Sequence, residues 1–91
     1  MDARTGVQFL TLLYKEGRVD GKDIEKAIEI AGSKSPSASF DAAGLYTRLM
    51  GKDQMTNLTF AKGTRWLAVI RRDEGEEAFK KAVEELRGGE K

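Results

Sequence analysis

Neither cysteine nor histidine occurs anywhere in the 91 residues. A chain of this length buries only about 60–65% of its unfolded surface, and small domains often make up the shortfall with disulfides or a zinc site. Both staples are closed to this one, so stability must come from a single apolar core built by well-patterned segments. The same absence removes thiolate nucleophiles, imidazole bases and the usual zinc ligands, and much enzyme chemistry with them. No run approaches the roughly 20 apolar residues of a membrane span, and the N-terminus lacks the pattern of a secretory signal. The expectation is a cytoplasmic, non-enzymatic domain without metal or cofactor.

Apolar residues recur at helical spacing in four places. Val7, Leu10, Leu13 and Tyr14, widened by Phe9 and Leu12, predict a helix over about residues 3–16 that Gly17 ends. Asp20 is placed to cap a second helix, with Asp23 in its first turn and Val19 stapled against Ile24. Ile24, Ala27, Ile28 and Ala31 line one face of it before Gly32. Residues 33–39 hold four serines and the only proline, and read as a connection into a third helix. In that helix Ala42, Leu45, Tyr46 and Leu49 mark the expected inward face, with Phe40 and Met50 near its ends and Gly51 as stop. Ser39, Ala43, Gly44, Thr47 and Arg48 are then expected to face outward, although small residues also suit tight packing against another helix. Phe79, Ala82, Val83 and Leu86 predict a last helix over about 74–87, acidic in its first turn, with a frayed tail at 88–91.

Residues 55–60 and 65–70 have a different texture, rich in Thr, aromatic and branched side chains, and residues 61–64 between them contain the glycine of a tight turn. They predict two antiparallel strands lying against the helices. The expected fold class is therefore α+β: one domain over 1–91, with a three-helix core and a two-stranded hairpin in 3–72, then a C-terminal helix.

Net charge is only +1, but residues 1–33 carry −1, residues 34–72 carry +5 and residues 73–91 carry −3. A local basic surface attracts phosphates even on a nearly neutral molecule. The expected nucleic-acid-binding residues are Lys34, Ser39, Thr47, Arg48, Lys52, Lys62, Arg65 and Arg71, with Tyr46 and Trp66 interleaved to stack on unpaired bases if the partner is RNA. The ten glycines stand at separate element boundaries rather than in a cluster ahead of a helix, which argues against a phosphate-cradling loop, and no small-molecule substrate is evident. Glu76/Glu77 and Glu84/Glu85 read as a solvated helix face, and Ser35, Ser37 and Ser39 have no histidine to activate them. The competing expectation is a protein-interaction module or assembly adaptor that docks through the amphipathic terminal helix.

Three helices, a hairpin and a further helix, with basic residues centred on the third helix and the hairpin, resemble the winged helix-turn-helix family over about residues 3–72. The resemblance implies double-stranded DNA as partner, in a transcriptional regulator or a viral or plasmid-type factor. It places the third helix in the major groove, with Ser39, Thr47 and Arg48 as readers and Lys62 and Arg65 on the wing. It also implies a homodimer through the terminal helix, at Phe79, Val83 and Leu86. Residues 32–39 form a longer connection than the tight turn usual in that family.

Overall fold

Three of the helix starts in the computed structural model, which describes residues 4–89, are set by side chains lying just ahead of them. Asp20 accepts the Asp23 backbone N–H at 2.9 Å while Asp23 accepts the Asp20 N–H at 3.0 Å, a reciprocal cap that opens α2 (Gly21–Ser33). Ser35 caps α3 (Pro36–Leu49), with proline at a first-turn position where no donor is missed. Asp53 accepts both the backbone N–H and the hydroxyl of Thr56 to open α4 (Gln54–Glu74). Before and after these lie α1 (Thr5–Lys15) and α5 (Glu76–Gly89). Residue 3 of the expected first helix and residues 90–91 of the expected frayed tail fall outside the described residues; Gly88 and Gly89 belong to α5.

The expected α+β class is overturned, because there is no strand among the described residues. The run expected to form a hairpin wing is a single 21-residue helix, so the winged-helix architecture does not apply. Its buried residues include Thr56, Phe60, Gly63, Thr64, Leu67 and Ile70, a spacing of three and four that marks one helical stripe. Threonine suits the stripe because its hydroxyl finds a partner in the helix itself: Thr64 Oγ1 donates to the Phe60 carbonyl at 2.9 Å. Gly63 is no turn residue but a contact point. A Cβ at Gly6 would lie 2.6 Å from Trp66 Cβ and 2.8 Å from the Gly63 carbonyl oxygen, so α1 and α4 cross with backbone nearly on backbone.

The other four helices all pack on α4. The core unites Leu10 and Leu13 of α1, Ile24 and Ala27 of α2, Phe60 and Leu67 of α4, and Phe79, Val83 and Leu86 of α5. A single residue, Gly75, separates α4 from α5, with φ at +98°, a conformation that L side chains rarely adopt. Arg87 holds α5 against α2 through two hydrogen bonds to Glu25, at 2.8 and 3.0 Å. Those bonds keep the Glu25 carboxyl below the usual carboxylate range.

α3 is turned away from the expected orientation. Its buried residues are Pro36, Ser39, Ala43 and Thr47, whereas Leu45 and Leu49, expected inside, are exposed. Ala42 and Tyr46 are partly buried against the core, as expected. Ser39 Oγ donates to the carbonyls of Ile30 and Lys34, and Thr47 Oγ1 to those of Ala43 and Gly44. With their polar atoms satisfied, these small side chains enter the core and let α3 sit close to its neighbours.

Candidate functional site

Folding divides the expected nucleic-acid-binding residues. Ser39 and Thr47 are fully buried and bonded to backbone carbonyls, so neither side chain reaches a surface from which bases are read. Arg71 is occupied inside the molecule: its guanidinium donates to the carbonyls of Ala31 and Lys34 at 2.9 and 2.8 Å and so closes the C-terminal end of α2. Lys52 leans over the α3–α4 corner, with Nζ 3.7 Å from Asp23 Oδ2. Asp23 is itself buried and also accepts the Tyr46 hydroxyl at 2.8 Å. Burial, with Asp23 beside it, pushes that hydroxyl up to about 12.

Lys34, Arg48, Lys62 and Arg65 are exposed. Lys34 sits ahead of the N-terminal end of α3 and Arg48 near its C-terminal end, about 20 Å apart along the helix. Arg48, Lys62 and Arg65 have no ion-pair partner among the described residues. Lys62 and Arg65 follow Leu58 by four and seven residues and share its stripe on α4. Trp66 is only partly exposed, its Cβ near the Gly6 backbone.

The dimer interface expected on the terminal helix has no free surface in this fold, because Phe79, Val83 and Leu86 lie in the core of one chain. The apolar surface is elsewhere. Leu45 and Leu49 of α3, with Met55 and Leu58 of α4, stand in water; Leu49 is 76% exposed and Met55 66%. Sequence reasoning missed them because it placed the leucines of α3 inside.

Between the two helices runs an open cleft of about 760 Å³. Phe40, Asp41, Gly44, Leu45 and Arg48 line it from α3, and Gln54, Asn57, Leu58 and Ala61 from α4. Gly44 and Ala61 keep the two helices close, since a Cβ on Gly44 would meet the Ala61 Cβ at 3.8 Å. Among the described residues Asn57 Oδ1 is buried without a hydrogen-bond partner and Asp41 forms no ion pair. A smaller cleft of about 490 Å³ lies between α1 and α5, lined by Val7, Leu12, Lys15 and Glu85 among others.

Among the described residues no group of three or more His, Cys, Asp or Glu is placed to hold a metal, and no helix is long and apolar enough to cross a membrane. No family model matches the chain, and no match is found among curated proteins or solved structures.

Proposed function

We propose that this chain is a non-enzymatic protein-interaction module whose docking face is the outer side of the α3–α4 hairpin, and that it takes an apolar helix. The observation that carries the reading is the outward set of α3: leucines that would suit a core stand in solvent while serine and threonine of the same helix are buried. Contiguous exposed apolar side chains bordering a cleft mark interaction surfaces, and burying each leucine on a partner gains on the order of 1.5–3 kcal/mol. A helix laid along the cleft would meet apolar walls from both helices, with Arg48, Lys62 and Arg65 along the rim.

The test uses two probes: the dye anilinonaphthalene sulfonate, and a designed 20-residue helical peptide with leucines at i, i+3, i+4 and i+7 and glutamates elsewhere. Wild type is expected to bind both, and Leu49→Asp with Leu58→Asp to bind neither while circular dichroism stays unchanged. Absence of binding by the wild type at a concentration where it is monomeric, or equal binding by the variant, would overturn the reading.

Duplex DNA is the second reading, favoured by Arg48, Lys62 and Arg65, exposed cations of α3 and α4 that have no ion-pair partner among the described residues. It predicts that affinity for a duplex of ~25 bp falls steeply with salt, and that Arg48→Glu with Lys62→Glu abolishes it without unfolding. A flat titration at low salt would defeat it.

A further inference from the structure

The exposed face of α3 is complementary to itself. Asp41 and Arg48 lie on it seven residues apart, two helical turns or about 10 Å, with opposite charges and no ion-pair partner among the described residues. Their midpoint falls between Gly44 and Leu45. If a second α3 crosses antiparallel with a twofold axis at that midpoint, Asp41 lies opposite Arg48, Gly44 opposite Leu45, and Phe40 opposite Leu49. Every one of these residues except Leu49 lines the cleft, and Leu49 is the most exposed large apolar residue of the helix. The pairing matches charge with opposite charge, a bulky side chain with a glycine, and an aromatic ring with a leucine.

We infer that the occupant of the cleft is a second copy of this chain, in a twofold dimer where Leu45 of each subunit fills the space over the partner's Gly44 and Asp41 pairs with the partner's Arg48. The inference rests on the docking face proposed above and names its partner. A twofold interface uses one patch twice, so each favourable contact on it counts twice. The net charge of +1 sets little general repulsion against the approach of two copies.

Charge reversal on the full chain tests it, with mass followed by sedimentation from about 5 to 500 μM. Wild type is expected to approach twice the monomer mass of 10.1 kDa. Asp41→Arg puts two like-charged pairs into the interface, as does Arg48→Asp, and each is expected to weaken association by about tenfold or more. The double variant Asp41→Arg with Arg48→Asp restores both pairs and is expected to dimerise as wild type does. An equimolar mixture of the two single variants is expected to form a mixed dimer, while each alone stays monomeric.

A wild type that is monomeric throughout, a dimer indifferent to both reversals, or a double variant as weak as the singles would overturn the inference. The dye and the acidic peptide separate its failure from that of the docking reading. A monomer that binds them through Leu49 and Leu58 keeps the face and loses the second copy; a monomer that binds neither loses both.

Discussion

Where α4 crosses α1, glycines at positions 6 and 63 bring the two backbones together until a methyl added at Gly6 would strike Trp66 or the Gly63 carbonyl, and one at Gly63 the Leu10 side chain. Along the outer side of α3, the same helix α4 approaches through Gly44 and Ala61 with room to spare, and leucines stand exposed at the edges. Small residues thus serve two ends in one molecule. At the first crossing they close a contact; at the second they lower the floor of a cleft walled in part by Phe40, Leu45 and Leu58. Residue size alone does not show which, and what separates the two cases is whether the neighbouring large side chains turn toward the contact or away from it.

The contrast is sharpest within α4 itself. Phe60 is fully buried and Leu58, two residues earlier, is 44% exposed. Phe60→Ala is expected to cost about 3–5 kcal/mol, against less than about 0.5 kcal/mol for Leu58→Ala, both read from urea unfolding at a concentration too low for association. A large loss at Leu58 would mean that the outer face is already sealed in the monomer.

Gly6→Ala comes next, with a loss of about 2 kcal/mol in the same assay, because backbone cannot step aside as a flexible side chain can. Gly44→Ala should go the other way and gain up to about 1 kcal/mol, from lower freedom in the unfolded chain and ordinary contact with Ala61. Equal effects at the two glycines would break the comparison.

Tyr46 anchors α3 on the side away from the cleft. Tyr46→Phe removes a donor from the buried Asp23 and is expected to cost roughly 1.5–3 kcal/mol at neutral pH. Its pH dependence has a definite sign. The hydroxyl is raised from about 10 in the unfolded chain to about 12 in the fold, so the folded state holds the proton more tightly. The stabilisation is full below about pH 10 and is lost as pH rises through about 12. The gap between wild type and Tyr46→Phe in thermal melts should narrow over that window; a constant gap would place the effect in packing instead.

Four of the five helices can be read from the sequence, and with them the Asp20 cap and most core residues of α1, α2 and α5, although Leu12, expected in the α1 stripe, is 52% exposed. α4 was hidden by its chemistry. Thr56 counts toward a strand and Thr64 toward the turn, yet in a helix their hydroxyls bond Asp53 and the Phe60 carbonyl, and Gly63 imitates a turn while marking a helix crossing. The helical spacing of 56, 60, 63, 67 and 70 was present, but two of its members are not apolar. On α3 hydropathy pointed the wrong way for a related reason: Ser39 and Thr47 satisfy themselves on carbonyls and enter the core, which leaves Leu45 and Leu49 outside. The basic residues were visible as a composition bias, but sequence does not tell that Arg71 and Lys52 are taken by internal partners while Arg48, Lys62 and Arg65 are not.

The corner between α4 and α5 is one torsion deep. Without the backbone freedom at position 75, residues 54–89 would favour an unbroken rod about 50 Å long, well beyond the 33 Å of the molecule's longest axis. Straightened in that way, the chain would carry Phe79, Val83 and Leu86 clear of their own core, and the nearest matching socket would belong to another molecule. A methyl group at position 75 would strain that corner, because L side chains rarely adopt its φ of +98°.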